Sequence, residues 1–200
     1  MEAYADASGE RHLARLDRRF VRELLAPHPA RRVLDVGCGP AQILDDYRRA
    51  VPGQAFAAGV DLSLPMLRQA RRRGFTRVVA ASATHLPFPG GAFDLVLSNS
   101  LLHHLSDPVP ALAEMSRCVA PGGRLVLRDL RRPPSPLLPG HLAWLGRHYS
   151  GRMKELFEAS VLAAYTPEEA RRLCAAAPLP RARVRRRGLS YLHCEWTRPA

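Results

Sequence analysis

The sequence predicts one α/β domain: a mainly parallel sheet of seven strands, helices on both faces and an antiparallel hairpin at the end. Three observations lead there. Five short apolar runs between residues 31 and 129 alternate with segments of helical spacing. A glycine turn follows the first run at once, and two further strand-like runs stand near the C-terminus with Gly188 and its neighbours between them. At 200 residues and 46% hydrophobic content, the chain can bury one substantial core, while two would be cramped.

Taken in order, residues 1–29 read as an N-terminal helical arm that includes Tyr4. The strands then come as RRVLDVG (31–37), AFAAGVD (55–61), TRVVAAS (76–82), FDLVLSN (93–99) and GRLVLRD (123–129). Each is short and rich in valine and leucine, as strands covered on both faces are. Helical spacing marks residues 41–50, 64–73 and 108–119. The alternation argues for parallel strands joined by right-handed crossovers, with the ligand-binding core in 30–130. Residues 131–165 break the rhythm. They open on the proline-rich RRPPSPLLPG and continue in an amphipathic pattern with Trp144, Tyr149, Phe157 and Tyr165, which predicts an insertion over the sheet edge that caps the substrate. Residues 166–200 hold a last helix, with Thr166 as N-cap and Pro167 in its first turn, and then RARVRRR and LSYLHCEWT as an antiparallel hairpin.

Charge and cysteine content narrow the function classes. The net charge of +12 invites nucleic acid, because a basic surface attracts phosphates. Yet all but Lys154 of the 30 basic residues are arginine, dispersed along a chain rich in alanine and proline, which is the residue usage of a GC-rich genome. On a strand, Arg181, Arg183, Arg185 and Arg187 project to one side without interleaved aromatics, so a solvated or edge-protecting face is expected there. Nucleic acid is therefore a disfavoured partner. Cys38, Cys118, Cys174 and Cys194 form no C-x-x-C pair and read as reduced thiols. No run approaches the roughly 20 apolar residues of a membrane span, and the first residues lack a signal peptide's apolar centre. A cytoplasmic protein is expected.

The stretch VLDVGCGPA puts a carboxylate beside a glycine turn at a strand's end. In open α/β sheets ligands bind at the carboxyl ends of the strands, and glycine lets the backbone approach a ligand closely. A phosphate loop would continue as G-x-x-x-x-G-K-[ST], and a dinucleotide loop as G-x-G-x-x-G. Here position 42 is Gln and no lysine follows. A ligand with an ammonium group and a ribose diol but no phosphate fits better. Asp35 can help hold the ammonium end, and Asp61, ending the second strand, can accept from ribose hydroxyls.

Together, VLDVGCGPA, GVDLS, FDLVLSNSLLHHL and APGGRLVLRD resemble the class I S-adenosylmethionine-dependent methyltransferases, close to the small-molecule branch that includes quinone-biosynthesis enzymes. The resemblance covers about residues 30–130 and implies a Rossmann-like fold, S-adenosylmethionine as cofactor and S-adenosylhomocysteine as product. It implies that Gly37, Cys38 and Gly39 form the loop under the methionine moiety, that Asp61 grips the ribose, and that Leu62 and Met66 lie near the adenine. The segment ASATHLPF is similar to the family's D-A-x-x-L-P-F, with Ser82 in place of the acid that faces the adenine amino group. Ala83 and Thr84 would still line the adenine pocket, and Ala41 stands where many members have glycine.

Methyl transfer from a sulfonium is an in-line displacement, so positioning supplies much of the rate and a base is needed only for an acceptor that loses a proton. Asn99 and Ser100 are expected to line the cofactor. His103 and His104 are the base candidates, His104 ahead by family position; the plainer account has one packing on the cofactor and the other capping a helix. Asp129 either orients a polar acceptor or a metal ion, or pairs with a neighbouring arginine. His141 and His148, seven apart, could share a helical face, but no carboxylate or thiol completes a metal set, so none is assigned. His193, Cys194 and Trp196 read as packing residues. The expected activity is methyl transfer to a small-molecule acceptor with a hydrophobic or aromatic part. The competing readings are an RNA methyltransferase and a non-catalytic cofactor-binding regulator; a nicotinamide dehydrogenase would need a third glycine. The acceptor, its reacting atom and the oligomeric state stay open.

Overall fold

The computed structural model describes residues 7–200 except 26, 28, 52, 54 and 55, and leaves out the side chains of 7–13 and 24. Tyr4, and the part of the arm before residue 7, lie outside the described residues. The strands are β1 (Arg32–Val36), β2 (Phe56–Asp61), β3 (Val78–Ala80), β4 (Phe93–Asn99), β5 (Val119–Leu130), β6 (Arg183–Arg187) and β7 (Tyr191–Thr197). They form one sheet in the order β3-β2-β1-β4-β5-β7-β6. Only β7 runs against its neighbours, pairing antiparallel with both β5 and β6. The chain order reverses beside β1, between it and β4, so the end of β1 opens a crevice as the α/β rule requires.

The apolar runs are continuous because both faces are buried. Val33, Leu95, Leu97 and Val126 project into one core cluster, whereas Leu34, Val36, Val96, Leu125 and Leu127 project into the other. That is the two-residue period of a strand, applied to two interiors at once. On the first face lie α1 (Ala7–Phe20), α2 (Gln42–Ala50) and α3 (Leu64–Arg72), which contribute Phe20, Leu44, Tyr47 and Leu67. On the second, α4 (Val109–Cys118) and α7 (Pro167–Ala176) contribute Leu112, Met115 and Cys174. The N-terminal arm is thus part of a layer. Phe20, Val21 and Leu25 are buried to within 2% of full coverage where α1 gives way to a π-helical turn, Val21–Leu25.

Several boundaries differ from expectation for local reasons. Strand β3 keeps only three residues, and β5 starts at Val119, ending α4 one residue early. Between the pairs Phe93–Val119 and Leu95–Arg124 the register shifts, so residues 120–123 bulge outward. Gly122 there has φ +72°, and a Cβ on Gly123 would meet the carbonyl oxygens of Ala120 and Asp94 at 2.9 Å each. Arg181 does not join the arginine ridge of β6; it sits before the strand at φ +62°. Helix α7 starts on the expected cap, with Glu169 N donating to Thr166 Oγ1 at 3.2 Å and Thr166 N donating to Glu169 Oε2 at 2.8 Å. The 131–165 segment forms α5 (Leu138–Gly146) and α6 (Gly151–Ala163). Rather than running along an edge strand, α6 packs on the 3₁₀ turn Leu102–His104 at the carboxyl end of β4.

Candidate active site

The glycine loop is held from below by β2. The amides of Gly37 and Cys38 both donate to Val60 O, at 2.8 and 3.0 Å. Gly37 has φ +75°, and a Cβ on it would lie 3.0–3.2 Å from the Leu101 side chain, so no other residue fits without displacement. Gly39, at φ +51°, faces open space. Its amide donates to Asp61 Oδ2 at 2.8 Å, while Ser63 N donates to Asp61 Oδ1 at 2.7 Å. Asp61 therefore ties the loop to the start of α3, and each of its oxygens keeps a second lone pair for a ligand hydroxyl. Ala41 closes the loop in the left-handed region, at φ +61°, which explains why glycine is at home there.

Around this loop, Leu62 is 71% exposed, an apolar side chain left without cover beside Asp61. Ser82 Oγ and Thr84 Oγ1 lie 2.8 Å apart, and Thr84 Oγ1 reaches His85 Nδ1 at 2.9 Å. Three polar groups thus form a chain where the family pattern has one acid. Asn99 Oδ1 is committed to Arg128 Nε at 2.6 Å.

Asp35 is the anomaly of the site. It is 1% exposed, and its Oδ1 has no hydrogen-bond partner. Burial, with the nearby charges of Asp61 and Asp17, pushes its carboxyl up to about 8. A native fold does not retain an unsatisfied buried carboxyl for stability. A cationic group placed against it would satisfy both the oxygen and the accumulated negative field.

The second half of the site stands at the ends of β4 and β5. Ser100 has φ +56° and donates its amide to Arg128 O at 2.8 Å, so the chain turns sharply off β4. The Asp129 carboxylate then gathers three donors: Leu102 N to Oδ2 at 2.6 Å, and Leu130 N to Oδ1 at 2.6 Å, with His103 Nδ1 2.5 Å from Oδ1. His103 is buried and lines a cavity of about 240 Å³, so with Nδ1 committed to Asp129 its Nε2 is the nitrogen left for that cavity. The walls come from Leu16, Leu145, Tyr149, Phe157 and Tyr191 among others, with Tyr149 and Phe157 stacked at 4.9 Å. Ser100, His148, Ser160 and Ser190 add polar points, and no Asp, Glu, Lys or Arg lines it among the described residues.

Asp129 accordingly does not pair with an arginine, the plainer of its expected roles; backbone amides and His103 occupy it. Arg128 pairs instead with Asp17 of α1, donates to Leu16 O at 2.9 Å, and lies between the rings of Phe20 and Tyr191 at 4.6 and 4.9 Å. His104 is exposed on its outer side, its ring tilted 43° against that of His103 with centroids 4.0 Å apart, and partial desolvation, then His103, hold it below the ordinary imidazole value. His148 lines the cavity, while His141 has a buried Nε2 without a partner; no three metal-binding side chains converge among the described residues. His193, Cys194 and Trp196 are buried in β7. Cys174 and Cys194, far apart in sequence, meet with sulfurs 3.2 Å apart as free thiols. No helix of the described residues is long and apolar enough to cross a membrane. Leu16, Asp17 and Arg128 were not singled out from the sequence. A charged residue inside the apolar run GRLVLRD was the available signal, since a buried arginine requires a partner.

Residues 34–127 match the family described as "Methyltransferase domain". An uncharacterised methyltransferase of Mycobacterium tuberculosis is 30% identical over 151 residues, which are 74% of this chain and 75% of that protein. A demethylmenaquinone methyltransferase of Thermus thermophilus is 38% identical over 122 residues, 58% of this chain and 55% of that one. The chain spans about half the length of several curated relatives that it matches. Among solved structures, plantazolicin methyltransferase BpumL, in complex with a monoazolic desmethylPZN analog and SAH, is similar over 95% of this chain and 84% of its own (TM-score 0.74, 15% identity). A SAM dependent methyltransferase from Aquifex aeolicus is similar over 97% and 99% of the two chains (TM-score 0.65, 20% identity). By its matching domain, its relatives and its fold, the chain belongs to the class I S-adenosylmethionine-dependent methyltransferases.

Proposed function

We propose that the protein moves the methyl group of S-adenosylmethionine to a small, uncharged acceptor bound under α5 and α6, with His103 as the general base. The observation that carries this reading is the meeting of two half-sites at residues 100–103: the glycine-loop crevice on one side, and an uncharged, aromatic-walled cavity on the other. The unpartnered Oδ1 of Asp35, the open backbone at Gly39 and the uncovered Leu62 are each what a cationic nucleoside would complete. Asp35 would hold the ammonium, Gly37, Cys38 and Gly39 the methionine stem, Asp61 the ribose, and Leu62, Met66, Ser82, Ala83 and Thr84 the adenine. Asn99, Ser100 and His104 would border the cofactor toward the acceptor.

When bound, the cofactor supplies an electrophilic methyl on a sulfonium that leaves as an uncharged thioether. The chain's part is to align and to take a proton. His103 Nε2 accepts the acceptor's proton as its atom attacks, and Asp129 beside Nδ1 stabilises the imidazolium that forms. The cap helices give the cavity an aromatic and aliphatic wall against which the acceptor's apolar part would pack. A cavity without Asp, Glu, Lys or Arg among the described residues disfavours polyanionic RNA and cationic amines, since neither would find a counter-charge there. It suits a hydroxyl or thiol on a hydrophobic, aromatic framework. His103 thereby displaces His104 as the favoured base, and Asp129 becomes its orienting partner.

The test is methyl transfer to a panel of phenols, aliphatic alcohols, thiols and amines, with cofactor affinity followed in parallel. His103→Asn should lower kcat by about 10²–10⁴ for hydroxyl acceptors while leaving S-adenosylhomocysteine affinity within twofold. Unchanged kcat would remove His103 from the mechanism. Cofactor binding without turnover on any class would favour the regulator reading.

A further inference from the structure

The segment between β5 and α7 leaves and re-enters the body of the protein through two stems that touch. Arg131 and Tyr165 form an isolated parallel bridge, and Arg132 N donates to Tyr165 O at 3.0 Å. Beside these stems lies a second cleft, of about 330 Å³, whose lining shares no residue with the acceptor cavity. Arg131, Arg132, Arg171 and Arg186 line it, with Thr166 and Glu168.

Two of these four charges are matched. Arg132 pairs with Glu169 at 2.5 Å, and Arg171 with Glu168 at 3.3 Å. Arg131 and Arg186 have no carboxylate partner among the described residues. Arg131 is also only 8% exposed. Its Nε and Nη2 donate to Leu189 O, at 3.1 and 2.5 Å, which leaves Nη1 for the cleft. Burial first, and then Arg186, pull its guanidinium below the ordinary value. Removing a guanidinium from water without a counter-charge is expensive, and a second arginine beside it adds repulsion. The missing component is an anion. The planar fork of arginine matches phosphate oxygens. Two unmatched guanidiniums, with Arg171 at the rim, call for a dianion rather than a single charge.

We infer that this cleft binds a phosphate group between Arg131 and Arg186, and that the bound group ties the first stem of the 133–164 segment to β6. Binding at the cleft stands independently of the methyltransferase reading. The phosphate is free, or carried by a small metabolite, and the experiment separates these.

Inorganic phosphate is titrated into the full chain by calorimetry and thermal unfolding, against sodium chloride at equal ionic strength. The expected result is one saturable site and a Tm rise of about 5 °C or more at a hundredfold excess over Kd. Arg186→Ala, on the exposed edge strand, should lower phosphate affinity at least tenfold and leave S-adenosylhomocysteine affinity unchanged. Arg131→Met should do the same; if it does not fold, Arg171→Ala added to Arg186→Ala takes its place. Adenosine monophosphate competing with phosphate supports the proposal with a metabolite as carrier, and phosphate binding without that competition supports it with the free ion. No phosphate-specific shift, or one unchanged by Arg186→Ala, overturns the proposal. Short single-stranded RNA that binds through Arg186 with a salt slope of several phosphates also overturns it, by giving the face to a polynucleotide. A phosphate site with no methyl transfer would refute the proposed function alone.

Discussion

Asp35→Asn should make the protein more stable and worse at binding its cofactor. The carboxyl is fully buried with an unpartnered Oδ1, and its value rises from 3.8 to about 8. A raised carboxyl gives stability that is fully present below its unfolded value and lost as pH climbs through the folded one. Between pH 4 and 8 the unfolded chain has released this proton and the folded chain has not. At pH 7 that gap spans about 3 pH units, or on the order of 4 kcal/mol at 1.36 kcal/mol per unit. An amide has no proton to withhold and is nearly the same shape, so it removes most of this penalty. The variant's Tm at pH 7 should rise by about 10 °C, and the wild-type decline in stability from pH 5 to 8 should flatten.

The same substitution removes the negative partner of the cofactor's ammonium. Loss of one charge-assisted hydrogen bond predicts about 10- to 100-fold weaker S-adenosylhomocysteine binding. Calorimetry in two buffers of different ionisation heat gives a sharper readout. Wild type at pH 6 should release close to one proton when the ligand's ammonium forces Asp35 to ionise, and the variant should release none. Equal proton release in both proteins, or a variant no more stable than wild type at pH 7, would refute the reasoning.

Four further outcomes follow from other contacts. Asp61→Ala, which removes the acceptor of Gly39 N and Ser63 N, should abolish measurable cofactor binding in calorimetry while circular dichroism stays native. Arg128→Met leaves Asp17 without its partner and frees the end of α1; a loss of about 3–5 kcal/mol in urea unfolding and early proteolysis near residue 20 are expected. Gly59→Ala puts a Cβ 2.6 Å from Cys38 Sγ and 3.0 Å from its Cβ, so it should cost about 1–3 kcal/mol and loosen cofactor binding. Adding Cys38→Ala removes only the sulfur and should restore part of both. Ala substitution of Tyr149 and Phe157 should raise KM for the acceptor at least tenfold without altering cofactor affinity; an unchanged KM would place the acceptor elsewhere.

The sheet was legible because its strands are buried on both faces and therefore mostly apolar. Val33, Leu34 and Val36, and Leu95, Val96 and Leu97, fill both cores, and no amphipathic helix reads that way. The N-cap at Thr166 was legible for a local reason, since it stands directly before Pro167 and the helical run; the structure adds Glu169 as its capping-box partner. What failed to show depends on distance in sequence. The α1 layer is fixed by Arg128, 111 residues from Asp17, and nothing in the basic pattern of residues 11–22 announces that contact. The Cys174–Cys194 contact was invisible for the same reason: spacing alone does not bring α7 against β7.

The two histidines show where a sequence reading must stop. HH is symmetrical on paper, and either ring could serve a proton transfer near neutrality. The asymmetry comes from a residue 26 positions away. Asp129 is held by the amides of Leu102 and Leu130, so its Oδ1 has one fixed place, and only Nδ1 of His103 reaches it. His104, one residue on, is turned outward by the 3₁₀ turn that begins at Leu102. Swapping roles would require that turn to rotate, which would break the Leu102 amide bond to Asp129. Asp129→Asn therefore serves as the discriminating variant. If His103 is the base, the amide cannot stabilise its imidazolium and kcat should fall by about tenfold or more. If His104 were the base, which shares no hydrogen bond with Asp129 among the described residues, kcat would stay within about threefold of wild type and only stability would fall.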